Sequence, residues 1–291
     1  MDITHQPDTG ETAPWKKLWN GLAGCAWVEA QGLLDHVYKP IEDVLVEAVA
    51  ARSGGSVLDV GCGTGGTTMA VARLFGPEGP STPLRGGHCV GIDVSEPMIA
   101  AARARGEREA LPARFIRADA QTYAFEPASF DTIISRFGVM FFDDPVRAFA
   151  NLRRAARDEA GLRLIVWRSA EENPFMTTAE RAAASILPDI PARDPDAPGQ
   201  FAFADRDKVH RILEESGWTG IDIRPIDVRC TLPEEALVGY FTRFGPLGRI
   251  LHDVDEPTRA RVVETVRPAF DRYVDGAEVR FDAACWTIGA R

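Results

Sequence analysis

Val57-Leu58-Asp59-Val60-Gly61-Cys62-Gly63-Thr64-Gly65 is a short apolar run that breaks into a glycine-rich turn. A strand that ends in glycines and feeds a helix opens bare backbone N–H groups to a ligand. Read literally, Gly61, Gly63 and Gly66 also satisfy the dinucleotide pattern G-x-G-x-x-G. Asp59, two residues before the first glycine, argues against a diphosphate. A fixed negative charge about 4 Å from a pyrophosphate would be repelled by roughly 4 kcal/mol at an effective dielectric near 20. The same charge would attract an ammonium or a sulfonium, so the loop suits a nucleoside with a cationic tail. The bland alternative is an ordinary tight strand-helix turn.

Three further stretches follow in order. Val90-Gly91-Ile92-Asp93-Val94-Ser95 ends a strand in a carboxylate, which can accept two charge-assisted hydrogen bonds from a cis-diol. Arg117-Ala118-Asp119-Ala120 and Phe130-Asp131-Thr132-Ile133-Ile134-Ser135-Arg136-Phe137 come next at strand-helix spacing. Together with the glycine turn, these pieces resemble class I S-adenosylmethionine-dependent methyltransferases. The resemblance implies S-adenosylmethionine as cofactor, with Asp93 and Val94 at the ribose, Met98 against the adenine, and Asp119 with Ala120 reading the adenine amino edge. It places Asp59, Gly61, Cys62, Gly63, Gly65, Arg136 and Phe137 around the methionine and its sulfonium.

Each piece has a plainer reading. Asp93 could cap the helix beginning near Glu96, although Ser95 is better placed for that. Asp119 could be a solvated loop acid, and Asp131 suits the exposed start of its strand. Cys62 could be a reactive thiol at a helix N-terminus, or simply a small residue fitting between glycines. Asp93 also comes later after the glycines than the usual spacing of about 20 residues. Residues 76–87, rich in Pro and Gly, account for the delay as a surface loop that leaves the strand ends in place.

At 291 residues the chain is long enough for one large α/β domain, or one domain and a cap. Hydrophobic content of 45% and charged content of 26% are ordinary globular values. The start lacks a basic and an apolar signal-peptide region, and no apolar stretch is long enough to span a bilayer. Five scattered cysteines without CxxC spacing suit free thiols in a reducing, cytoplasmic compartment and offer no metal site. A net charge of −10, with arginines interspersed among acids, disfavours nucleic acid and anionic membrane surfaces as partners. A homodimer is left open.

Strands at 56–60, 88–93, 113–117, 130–135 and 161–168 alternate with helices at 65–75, 96–106 and 145–156. Such alternation argues for a doubly wound α/β architecture with a mostly parallel sheet and ligands at the strands' carboxyl ends. Helix 175–187, a proline-laden loop, helix 205–216, strand 220–230, helices within 233–274 and a final strand at 278–289 follow. Residues 1–14 are expected to be disordered. A first helical stretch spans 15–35, and a helix over 40–51 carries Pro40 near its first turn. The resemblance implies a seven-stranded Rossmann-like sheet over 53–291, with N-terminal helices (15–52) and helical insertions at about 170–204 and 232–276 folding over it as a lid.

Trp19, Trp27, Phe137, Phe141, Phe142, Phe175, Phe201, Phe203, Tyr240, Phe241 and Phe244 fall in or near the lid segments. Most read as core. A few are expected to line an apolar pocket, with Phe137 facing the sulfonium by cation–π attraction. His36, His210 and His252 are the candidate bases, His36 foremost, and none is assigned. Asn173-Pro174-Phe175 superficially looks like the Asn-Pro-Pro-Tyr tetrapeptide of amino-methylating enzymes, but it follows the fifth strand and reads as a turn into a helix. The N-terminal Trp19-Asn20…Trp27…Leu34-Asp35 and the Ser135–Pro145 stretch resemble bacterial ubiquinone- and menaquinone-biosynthesis methyltransferases. The function implied is methyl transfer to a small apolar or aromatic acceptor, on oxygen or carbon. A nicotinamide-dependent oxidoreductase and a non-catalytic cofactor-binding protein are the alternatives.

Overall fold

The computed structural model describes residues 13–52, 55–76, 87–187, 190, 193–194 and 197–291. Most of the expected disordered leader, most of the proline- and glycine-rich insertion and part of the proline-laden loop lie outside the described residues. Pro14, placed in that leader by the sequence, instead opens the first helix.

β1 (Ser56–Val60), β2 (His88–Asp93), β3 (Ala113–Arg117), β4 (Phe130–Arg136), β5 (Ala156–Trp167), β6 (Asp222–Pro233), β7 (Val274–Asp275) and β8 (Glu278–Ala290) form one sheet. Its order is β3-β2-β1-β4-β5-β8-β6, with β7 paired to β8 off that path. The pairs among β1 to β5 are parallel, whereas β8 runs antiparallel to both β5 and β6. Strand order reverses between β1 and β4, which makes their carboxyl ends the crevice where such sheets bind ligands. The sheet has one more strand than the seven expected. β7 is a two-residue arm turned onto β8 through Gly276, whose φ of +62° suits the reversal.

Both faces of the parallel strands are buried, as runs without polar alternation require. Val57 joins Val71, Ala72 and Leu74 of α4 (Gly66–Leu74) on one face. Leu58, Val60 and Ile133 belong to the main core with Phe149 and Leu152 of α6 (Pro145–Ala155). α5 (Glu96–Glu109) packs against β2 and β3. Asp144 caps α6 by accepting the Arg147 N–H at 3.0 Å, and Asp205 caps α8 (Arg206–Glu215) in the same way.

The N-terminal segment differs from its sequence reading. It forms α1 (Pro14–Asn20), α2 (Leu22–Glu29) and α3 (Gln31–Ala50), and Pro40 lies inside α3. A mid-helix proline costs about 3 kcal/mol. Leu34, Val37, Tyr38, Ile41, Leu45 and Val49 are all buried along one stripe that passes through Pro40 unbroken. Burying a Leu or Ile contributes about 1.5–3 kcal/mol each, so the stripe outweighs the lost hydrogen bond.

Beyond β5 come α7 (Pro174–Ala183), then α9 (Leu237–Arg243), α10 (Gly245–Asp253) and α11 (Glu256–Val266). Asn173, 1% exposed, precedes α7 as the turn residue expected. Its amide donates to the Ala284 carbonyl and accepts the Ala284 N–H, both at 2.9 Å. This clamp ties the start of α7 to the middle of β8. No helix among the described residues is long and apolar enough to cross a membrane. Asn173→Ala leaves the buried Ala284 N–H without its acceptor and is expected to cost about 1–3 kcal/mol in urea unfolding. An unchanged midpoint would show that β8 holds its place without the clamp.

Candidate functional site

The glycine turn leaves β1 in left-handed backbone, with φ of +69° at Gly61 and +55° at Gly63. The Gly61 and Cys62 N–H groups donate to the Ile92 carbonyl at 2.8 and 3.2 Å, fastening the turn to β2. A side-chain Cβ at Gly61 would stand 2.5 Å from the Gly138 Cα, so the backbones of the first and fourth strand ends touch. Ser135 supports that contact. Its hydroxyl donates to the Val60 carbonyl at 2.7 Å and accepts the Gly138 N–H at 3.2 Å.

Asp93 sits beside the turn. One carboxylate oxygen accepts the Gly63 N–H at 2.9 Å, and the other accepts the Ser95 N–H at 2.9 Å. Burial raises its pKa, and these backbone donors counteract the rise. Ser95, not Asp93, caps α5, accepting the Met98 N–H at 3.5 Å. Asp119 pairs with Lys16 of α1 at 2.8 Å and accepts the Gln121 N–H at 2.9 Å. The Ala120 carbonyl accepts the Asn151 amide at 2.9 Å. Arg136 donates to the Tyr38 carbonyl at 3.4 Å, and its guanidinium lies 5.7 Å from the Tyr38 ring centre. Phe137 adopts φ of +68°, strained for a non-glycine, and its N–H donates to the Ile165 carbonyl at 2.9 Å. Its ring stacks on Trp167 with centroids 4.5 Å apart.

A cavity of about 1190 Å³ opens at this edge. Gly61, Gly63, Asp93, Val94, Met98, Asp119, Ala120, Arg136 and Phe137 all line it. Asp59, Cys62 and Gly65 do not. Asp59 is 1% exposed beneath the turn and accepts the Thr68 hydroxyl at 2.6 Å, so its charge acts from below without contact. Loss of solvent raises its carboxyl pKa to about 6, against lowering by Thr68 and Arg136. Cys62 is buried, 2.8 Å from where a Cβ on Gly91 would sit, and burial pushes its thiol well up. It fills space. Gly65 has φ of +82° and faces Phe115, which stands 2.8 Å from an added Cβ. Asp131 takes the Gly55 and Ser56 N–H groups and pairs with Arg157, as suits a strand start away from the ligand edge.

The aromatic wall is fuller than expected. Of the aromatic residues singled out in the sequence only Phe203 is absent from the lining; it packs on Phe149 instead. Tyr38 and Trp167 join the wall without having been anticipated. The signal for Tyr38 was its place in the α3 stripe, between Leu34 and Ile41. Its hydroxyl meets that of Tyr240 at 3.3 Å, and burial raises both phenols, Tyr240 to about 12. His36, foremost of the unassigned candidate bases, is exposed, on the side of α3 opposite the stripe. His210 is also exposed and lies beside Glu214, whereas His252 lines the cavity.

The donor set fits a cationic nucleoside. Carboxylates of Asp93 and Asp119 edge the cavity near the turn, with Asp59 beneath, and a diphosphate would meet these charges at close range. The volume exceeds what a single ligand usually fills, about 300–1,000 Å³, leaving space for an acceptor.

Comparison with known proteins agrees. Residues 57–159 match the methyltransferase domain family. Nocamycin O-methyltransferase of Saccharothrix syringae is 31% identical over 128 residues, 44% of this chain and 43% of that protein. Demethylmenaquinone methyltransferase of Renibacterium salmoninarum is 26% identical over 192 residues, 63% of this chain and 75% of that protein. Phosphoethanolamine N-methyltransferase 2 of Haemonchus contortus, solved with S-adenosyl-L-methionine, shares the fold at a TM-score of 0.57 and 14% identity, covering 96% of this chain and 60% of that one. The chain is a class I S-adenosylmethionine-dependent methyltransferase.

Proposed function

We propose that this methyltransferase modifies a small apolar or aromatic acceptor on oxygen or carbon, in the cytoplasm. The observation that carries the reading is a single cavity with carboxylates beside the glycine turn and an aromatic wall built from Trp27, Tyr38, Phe137, Trp167, Tyr240 and Phe244. Similarity to a nocamycin O-methyltransferase and a demethylmenaquinone methyltransferase supports it. Neither alternative explains that wall together with the carboxylates.

S-adenosylmethionine, when bound, supplies an activated methyl group whose displacement leaves a neutral thioether. The chain's task is then alignment, and well-oriented reactants gain about 7–11 kcal/mol from it. In this reading Asp93 holds the ribose hydroxyls, Asp119 and Ala120 read the adenine edge, and Met98 lies against the base. Gly61 and Gly63, lacking side chains, let the methionine portion approach a backbone whose N–H groups are already held by Ile92 and Asp93. Phe137, held in its strained conformation by the bond to Ile165, turns its ring toward the cationic centre. The segments 15–52, 170–204 and 232–276 act as a lid that excludes water and seats the acceptor. Tyr38 and Tyr240, both neutral phenols, offer hydroxyl hydrogen bonds to an acceptor oxygen. The acceptor gives its proton to solvent before the lid closes.

Turnover to S-adenosylhomocysteine across a panel of phenols, hydroquinones and aliphatic amines tests the acceptor class. Activity confined to the amines would overturn it. Asp93→Ala should weaken S-adenosylmethionine binding by about 1.5–3 kcal/mol, the range for hydrogen bonds to a charged group. Gly63→Val should abolish it in a protein that still folds. Calorimetric affinities within error of the parent would move the ribose or the glycine loop out of the site. The pH dependence has a definite sign. Folded Asp59 keeps its proton up to about pH 6, whereas an unfolded aspartate loses its own near 3.9. Folding therefore favours the protonated form, and stability from this group declines as pH rises through that window. A cation above the turn favours the ionised form, as Arg136 already does, while Asp93 and Glu42 oppose it. Affinity for S-adenosylmethionine should rise several-fold as pH climbs through about 6, and Asp59→Asn should flatten that rise. An identical slope in the variant would assign the titration to another group.

A further inference from the structure

The chain carries a net charge of −10, yet cations gather where α7, α9 and α10 wall the cavity. Arg193, Arg243, Arg249, His252 and Arg259 all line that part. Two of these arginines are already committed. Arg193 grips Glu180 of α7 through both carboxylate oxygens at 2.6 and 2.8 Å, and Arg259 donates to the Leu251 carbonyl. Asp194, also in the lining, is engaged in contacts of its own. Glu180, gripped by Arg193, forms no ion pair with a second guanidinium among the described residues but still attracts Arg249 through space.

Arg243 closes α9 and Arg249 lies midway along α10. Among the described residues, neither guanidinium is in an ion pair or hydrogen bond. Loss of solvent lowers the pKa of Arg249; Glu180 opposes that, and Arg193 adds a smaller lowering. Arg243 and Arg249 are exposed residues of the cavity lining, and unpaired guanidiniums there suit one ligand chemistry, because their planar forks match an oxyanion bidentately.

We propose that the acceptor is an amphiphilic anion: an apolar or aromatic body against the Tyr38–Trp167–Tyr240 wall, and a carboxylate or comparable oxyanion held by Arg249 and Arg243. The inference rests on the cavity being the acceptor site, and it narrows that reading to acids over neutral phenols. Asp93 and Asp119 edge the cavity beside the glycine turn, whereas Arg243 and Arg249 stand on α9 and α10, so such a molecule is favoured with its charged group toward those helices and away from the two carboxylates.

Calorimetric titration with two probes of the same body, 1-hydroxy-2-naphthoate and 1-naphthol, tests this on the full chain, with and without saturating S-adenosylhomocysteine. The naphthoate is expected to bind at least tenfold tighter, and increasingly less so with added salt. The double variant Arg243→Gln/Arg249→Gln should lose at least tenfold for the naphthoate and keep its naphthol and S-adenosylhomocysteine affinities. Equal affinities of the two probes, no detectable naphthoate binding, or a parallel loss of naphthol in the variant would each overturn the proposal. Failure of S-adenosylhomocysteine to bind would instead strike at the cofactor site, and the probe comparison on the unliganded chain would still decide the acid.

Discussion

Contact between two glycine backbones sets the geometry of this enzyme. Gly61 and Gly138 approach so closely that a Cβ on either would lie about 2.5 Å from the other's neighbourhood, within the Gly138 Cα or the Val60 carbonyl. Ser135 bonds across the same seam. The approach draws the ends of β1 and β4 together at the point where strand order reverses. It also forces the chain after Arg136 into a left-handed residue, Phe137, whose ring thereby lands on Trp167.

Electrostatics then divide the cavity. Asp59 contributes from beneath the turn, an arrangement that lets a carboxylate influence a ligand while being shielded from water and held by Thr68. Its raised pKa is the cost of burial, and a cation bound above it relieves that cost. Asp93 is held from both sides by backbone donors, and Asp119 by Gln121 and Lys16, so neither carboxylate needs to reorganise before a ligand arrives. α1 adds to this order. Lys16 reaches Asp119, Trp15 reaches Asp143 at 2.7 Å, and the Trp19 carbonyl accepts the Ser95 hydroxyl at 2.6 Å. One short helix thus touches the loops after β2, β3 and β4.

Local chemistry made much of the fold legible. Apolar runs bounded by glycine located β1, β2 and β4 almost to the residue, and the helix expected from 145 begins there as α6. Where the reading erred, a long-range gain had overruled a local rule. Pro40 signals a helix start on local grounds, and only a stripe of buried contacts with the sheet keeps α3 continuous through it. That continuity also leaves His36 exposed and Tyr38 buried, so that Tyr38, which the sequence had not singled out, joins the cavity.

The sequence by itself determined the doubly wound sheet, the glycine turn and the carboxylates at the strand ends, because each follows from backbone rules acting over a few neighbouring residues. Only the tertiary structure decided which side chains share the cavity. Tyr38 meets Tyr240 across 202 positions of chain, and Asn173 meets Ala284 across 111. Such meetings depend on how separate helices pack against one sheet edge, and periodicity along the chain carries no record of that distance.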